Sequence, residues 1–298
     1  MRKTFPVLLI LLSGVLLLCR PERAAEAVRD GLALCAGTVI PSLFPFFVVV
    51  SLLLKLGLAD CLQGIFAPLM RPLFRMRGVC ALPLLTGLLG GYPAGVRAAA
   101  ELYHTGQLNQ QEAELLLGFC DNCGPAFLMG YVGAGILGSA NAGLWLYLIH
   151  SASALLTGVI LCRIQRDRGP GLLRNSLPVR AAAFPQALTE SVSGALASML
   201  QICGFVVLFR VLAALLPEGT PGLGALEMVS GIAGLVPGQT GFLSAAAIVG
   251  WGGLSVHCQA MAVAAPEGLS FRWHWAGKTV QAVISVILAA AVWRGFFS

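Results

Sequence analysis

Gly90-Gly91-Tyr92-Pro93-Ala94-Gly95 lies in the middle of the apolar run from Val79 to Ala100, and three glycines with a proline cannot continue an ordinary spanning helix. The helix must break there. In hydrocarbon each unpaired backbone N–H or C=O costs several kcal/mol, so a break at membrane depth is tolerated only against protein or a polar cavity. A similar break recurs in the second half, where Gly250-Trp251-Gly252-Gly253-Leu254-Ser255 interrupts the run from Phe242 to Ala265.

That the run lies in a membrane follows from composition. Of 298 residues 57% are hydrophobic and 11% charged, where a soluble domain carries roughly 25% charged residues. The mean hydropathy is +0.85. Several runs reach the ~20 apolar residues that cross a bilayer, and such unbroken runs exclude an outer-membrane barrel. The net charge of +6 is scattered over loops without interleaved aromatics, so it reads as positive-inside topology and not as nucleic-acid binding. Cys19, Cys35, Cys80, Cys162, Cys203 and Cys258 are isolated in apolar runs, where Cys behaves as a small hydrophobe, and no disulfide is expected.

In chain order, Met1-Arg2-Lys3 and the run Phe5 to Cys19 read as a signal anchor, with Ala25-Glu26-Ala27 offering a cleavage pattern as the other option. Residues 31–54 carry Pro41 and Pro45, which predict a kink. Residues 55–77 are basic, with Pro68 and Pro72 framing a short amphipathic piece expected on the cytoplasmic side. After the Gly90 break the polar Gln107 to Glu112 predicts a surface turn and a returning helix. Phe119-Cys120-Asp121-Asn122-Cys123-Gly124-Pro125 then predicts a third break. Beyond it Gly130, Ala134 and Gly138 have the four-residue spacing of a close helix contact. Residues 144–162, 191–216 and 278–297 predict crossings, and the basic linker 163–185 belongs to the cytoplasm.

The two halves share an order: spanning helix, short connection, glycine-broken run, polar return, spanning helix. One extra crossing separates them, so they read as inverted repeats. The expected fold is an all-α polytopic membrane protein, an inverted repeat of two units with broken or re-entrant helices. Its parts are an N-terminal anchor (1–26), a first unit (27–140), a linking transmembrane helix (141–163), a basic linker (164–187) and a second unit (188–298). Inverted repeats with discontinuous helices are the pattern of secondary transporters, whose substrate sits where half-helix ends meet. Helices broken merely for tight packing are the alternative.

The stretches Pro41-Ser42-Leu43-Phe44-Pro45-Phe46-Phe47, Pro68-Leu69-Met70-Arg71-Pro72-Leu73-Phe74, Gly87-Leu88-Leu89-Gly90-Gly91-Tyr92-Pro93-Ala94-Gly95, Phe119-Cys120-Asp121-Asn122-Cys123-Gly124-Pro125 and Gly252-Gly253-Leu254-Ser255-Val256-His257 together resemble the YlbJ or SpoVV family of sporulation integral membrane proteins, which carry two Gate (nucleoside-recognition) domains. The resemblance spans nearly the whole chain. It implies export of dipicolinic acid from the mother cell across the outer forespore membrane. Two features depart from the family pattern: Asp121 stands where Asn is expected, and the second unit is poor in charge.

A site for a planar pyridine dicarboxylate needs donors for two carboxylates and a wall for the ring. The candidates are Gly90, Gly91, Tyr92, Pro93, Arg97, Asp121, Asn122, Gly124, Gly252, Gly253, Ser255, His257 and Gln259. Arg97 supplies charge, Tyr92 a stacking face, the amides, hydroxyl and imidazole hydrogen bonds, and the glycines close approach. Each has a plainer reading: a snorkelling Arg97, an interfacial Tyr92, a satisfied interior His257. Asp121 is expected either to pair with Arg97 or to carry a proton, as intramembrane carboxylates often do; helix pairing is its plainer reading.

No enzyme is expected. Gly277-Lys278-Thr279 resembles the end of a phosphate loop but lacks its first glycine, and Cys120 and Cys123 have no second ligand pair. No cofactor and no metal are expected. The expected partners are a small anionic substrate and the lipid bilayer, with no nucleic acid and a homo-oligomer left open. The expected place is the cell membrane, or the outer forespore membrane if the sporulation role holds, with the N-terminus cytoplasmic. A nucleoside or other small-metabolite carrier and a non-transporting scaffold are the alternative functions.

Overall fold

The computed structural model describes residues 14–296 apart from 16, 166–182, 218, 219 and 221. The N-terminal anchor and the basic linker thus fall largely outside the described residues. Among those described, all regular structure is helical. Four helices are long and apolar enough to cross a membrane, or five if one pair bent by 85° is a single broken span. The chain is an all-α polytopic membrane protein.

α1 (Pro21–Leu34) runs without a break through a π-turn at Cys35–Val39 into α2 (Ile40–Lys55). The widened turn lies just ahead of Pro41, whose ring and missing N–H a regular turn does not accommodate. The proline pair therefore reshapes this helix without ending it. Both parts pack along α8 (Phe184–Leu215).

α3 (Leu58–Phe74) contains both Pro68 and Pro72, so the segment is a 17-residue helix and not a short framed piece. Its Met70 and Phe74 are buried, and Phe74 stacks on Phe119 at 5.4 Å. Arg75 ends it in a left-handed conformation, and the chain turns sharply into α4 (Ala81–Gly90).

Gly91 stops α4 at φ +85, and after the Tyr92–Pro93 turn α5 (Ala94–His104) packs back on α4. The first break is thus a re-entrant hairpin. Asn109 and Glu112 form a reciprocal cap that starts α6 (Gln110–Leu117). The segment 118–124 is non-helical but for turns, as its Gly and Asp-Asn predict; Pro125 is already helical, and a π-helix follows at Ala126–Ile136.

That π-helix corrects the expected close-contact face. Nothing lies within 4 Å of a Cβ built on Gly130 or Gly138, whereas Gly133 abuts Gly143 at the start of α7 (Ala140–Ile164). Bonding to i+5 rotates the face away from the four-residue spacing of an α-helix.

After α8 come the short α9 (Leu223–Leu226) and α10 (Met228–Ala233), then α11 (Gln239–Trp251) and α12 (Gly253–Ala264). Gly252 (φ +89) and Gly253 (φ +77) separate α11 from α12. Here the chain does not double back: residues 239–267 form one apolar span of 29 residues. The two glycine breaks therefore differ, one a hairpin and one an in-line interruption. α13 (Arg272–Phe296) closes the chain and packs on α6, α7 and α11.

Candidate functional site

Three interruptions meet because glycine lets backbone touch backbone. Gly87 and Gly95 face each other across the hairpin and the Cys120 carbonyl lies between them, where a Cβ on either would collide with it. Gly91 and Gly124 lie back to back, a Cβ built on Gly91 falling 3.2 Å from the Gly124 nitrogen. A Cβ on Gly252 would stand 3.6 Å from the Tyr92 hydroxyl.

The carbonyls and amides freed by these breaks need partners inside the protein, and side chains supply them. The Tyr92 hydroxyl donates to the Val249 carbonyl at 2.7 Å, in the last turn of α11. Asn122 Nδ2 donates to the Phe119 carbonyl at 2.8 Å. The Cys123 N–H donates to His150 Nε2 at 2.9 Å, which leaves His150 Nδ1 protonated and without a partner. Lys278 Nζ donates to the Asp121 carbonyl at 2.9 Å.

Lys278 is the centre of the arrangement, and the sequence reading had set it aside with the phosphate-loop remnant. It is 0% exposed, rare for a lysine without an ion-pair partner. Its other contacts are Gln281 Oε1 at 3.0 Å and the Tyr92 hydroxyl at 3.4 Å, with the ammonium 5.0 Å from the Tyr92 ring centroid. Gln281 Nε2 in turn donates to Asn122 Oδ1 at 3.0 Å. Two close helix contacts, Gly277 on Gly118 and Gly250 on Ala282, press α13 against the breaks on either side of this lysine.

Lys278 belongs to a stripe. His274, Lys278, Gln281 and Ser285 recur at helical spacing along one face of α13, all buried, over roughly 16 Å of axis at 1.5 Å per residue. Ser285 Oγ meets Ser153 Oγ at 2.8 Å on α7. At the other end His274 Nδ1 donates to the Leu117 carbonyl at 3.0 Å, so its Nε2 accepts from His257 Nδ1 at 2.8 Å. That stripe was visible in sequence as polar residues at i, i+4, i+7 and i+11 of an otherwise apolar span. Reading charge only as topology hid it.

The structure brings Tyr92, Pro93, Asp121, Asn122, Gly90, Gly91, Gly124, Gly252 and Gly253 to this junction. His257 lies at the far end of the stripe, its ring 4.4 Å from both Trp251 and Trp275, and its Nε2 has no partner. Ser255 and Gln259 are buried on α12. Arg97 lies elsewhere: its guanidinium donates to the Gly194 carbonyl at 2.8 Å and to Ser198 Oγ on α8, and sits 5.1 Å from the Phe47 ring centroid. It does not reach Asp121.

Asp121 is fully buried, and neither carboxylate oxygen has a hydrogen-bond partner. Lys278 acts electrostatically on this carboxylate while bonding only its backbone carbonyl. A cleft of about 370 Å³ lined by Arg23, Glu26, Asp30, Arg210 and Ser230 contains none of these residues. No group of three potential ligands that could hold a metal occurs among the described residues.

Comparison with known proteins agrees with the sequence motifs. Residues 36–162, which include the re-entrant hairpin, the third break and nearly all of α7, match the Gate family, described as nucleoside recognition. The sporulation integral membrane protein YlbJ of Bacillus subtilis (strain 168) is 25% identical, over 93% of this chain and 79% of its own. No solved structure matches. The chain is an integral membrane protein whose residues 36–162 match the Gate family, and it is similar along nearly its whole length to YlbJ.

Proposed function

We propose that the chain is a carrier for a small anionic aromatic dicarboxylate, working by alternating access between two inverted Gate-type units. Its role is then export of dipicolinate (pyridine-2,6-dicarboxylate) from the mother cell across the outer forespore membrane during sporulation. The name of the similar B. subtilis protein supports the sporulation setting.

The observation that carries the reading is the Lys278 ammonium, fully buried where broken helices meet and hydrogen-bonded only to neutral oxygens. Burying a charge costs several kcal/mol unless partners offset it. A carboxylate arriving from the substrate supplies the counter-charge that those oxygens do not. Tyr92 offers the pyridine ring a face, and the Asn122 and Gln281 amides, now bonded to each other, are donors for the second carboxylate. Glycines at 91 and 124 let the broken segments meet backbone to backbone beside this site.

The test is uptake of labelled dipicolinate into proteoliposomes, with nucleosides as competitors. Saturable uptake that nucleosides do not inhibit is the expected result. The description of the Gate family favours a second reading, a nucleoside carrier; nucleoside uptake with no dipicolinate uptake above empty vesicles would establish it. A scaffold would carry neither; Gly91→Leu separates the two, since a carrier should lose flux while still inserting, whereas a scaffold should keep its partners.

A further inference from the structure

We propose that Asp121 is a proton-binding site that loads with the dicarboxylate, so that one proton crosses with each substrate molecule. The inference rests on the carrier reading above and adds the ion that accompanies it.

The geometry is that of a charge exchange. In the empty site Lys278 and Asp121 are two opposite charges buried at one junction, yet the ammonium bonds the Asp121 backbone carbonyl and leaves both carboxylate oxygens without a donor. Tyr92, Asn122, Gln281 and the Cys123 N–H each have a hydrogen-bond partner other than this carboxylate, and the unpartnered His150 Nδ1–H makes no hydrogen bond to it. When a substrate carboxylate takes the ammonium as its counter-ion, Asp121 becomes a second anion in a dry site, with no hydrogen bond to hold its charge. Like charges in such a site cannot both persist, and uptake of one proton resolves the conflict. An O–H bond forms on Asp121 from a solvent proton, and nothing is oxidised or reduced. Release of the dicarboxylate returns the ammonium to Asp121 and frees the proton on the same side.

The groups facing Asp121 agree with this assignment. Lys278 comes from α13, Tyr92 from the hairpin, His150 from α7, and Cys120 and Cys123 from its own segment. His150 already accepts the Cys123 N–H through Nε2, so that nitrogen is not free to take the proton. A sodium ion would need five or six oxygens, whereas the free ones found here are the two of Asp121.

The experiment is calorimetric titration of purified protein with dipicolinate at one pH in buffers of different ionisation enthalpy, with flux under an imposed pH gradient beside it. The expected result is uptake of about one proton per dipicolinate bound, together with vesicle uptake that speeds up when the outside is acidic. In Asp121→Asn both effects vanish: the heat of whatever binding remains is the same in every buffer, and flux ignores the gradient. Binding heats independent of buffer in the wild type, with flux indifferent to the gradient, overturn proton coupling and leave the carrier intact. Proton uptake retained in Asp121→Asn overturns the assignment to Asp121. No binding and no flux in the wild type remove the carrier reading and this inference together. Stimulation by sodium in place of acid identifies the wrong cation and also overturns it. The wild-type arms decide the coupling even if the variant does not fold.

Discussion

Lys278 Nζ donates a 2.9 Å hydrogen bond to the backbone carbonyl of Asp121, joining the second turn of the last helix to the irregular segment between α6 and the π-helix. This contact places a cation from the second half of the chain beside the breaks of the first. It makes Lys278 the residue whose replacement is most informative. Lys278→Met keeps length and apolar volume while removing the charge, but it also strips buried Asp121 of its opposite charge, and removing one member of a buried charge pair is destabilising. Dipicolinate flux should fall by about a hundredfold or more, since charge-assisted contacts contribute roughly 1.5–3 kcal/mol each. The unfolding midpoint in detergent should fall, because the Asp121 carbonyl and Gln281 Oε1 also lose their donor. Normal flux in a folded Lys278→Met protein would remove this lysine from the site.

Tyr92→Phe deletes the hydroxyl that satisfies the Val249 carbonyl and touches Lys278. The cost is about 1–3 kcal/mol for a buried acceptor left unpaired, read as a lower midpoint of unfolding. Flux should fall less than in Lys278→Met, because the aromatic face remains.

Gly87→Ala and Gly130→Ala make a contrasting pair. A Cβ at Gly87 runs into the Cys120 carbonyl backbone, which cannot move without opening the hairpin, whereas nothing lies within 4 Å of one at Gly130. Gly87→Ala should lose most of the folded protein on size-exclusion chromatography in detergent. Gly130→Ala should elute as the wild type does, or gain slightly from helix propensity.

His274→Ala strips the Leu117 carbonyl of its donor and His257 of its acceptor in one change. Roughly 1–3 kcal/mol per unsatisfied group is expected, visible as lowered thermal stability. His257→Phe keeps a ring beside Trp251 and Trp275, loses only the bond to His274 and leaves the Leu117 bond intact, so it should destabilise less.

Arg97→Ala separates a structural charge from a substrate-binding one. Its bonds to Gly194 and Ser198 tie the hairpin to α8, so the substitution should lower stability. It should leave the preference for dipicolinate over neutral competitors unchanged in competition uptake. A loss of that preference would return Arg97 to the site.

Much of this molecule is set by local chemistry and is therefore readable along the chain. Long apolar runs dictate membrane helices whatever their neighbours do. Gly91, with its positive φ, and the Asp-Asn-Cys-Gly-Pro segment end helices through their own backbone preferences. The Asn109–Glu112 cap likewise needs only residues three apart. Tertiary packing decided the rest. Whether a glycine break folds into a hairpin, as at Gly91, or stays in line, as at Gly252, depends on what each half-helix packs against. Whether a charge is a snorkelling end or a buried centre depends on the helix beside it. Arg97 found backbone and hydroxyl partners on α8, while Lys278 was pressed into the junction by glycine contacts at 250 and 277, one of them from a distant segment and one on its own helix. A solvation environment is a property of all the surfaces around a group, and no stretch of sequence contains those surfaces.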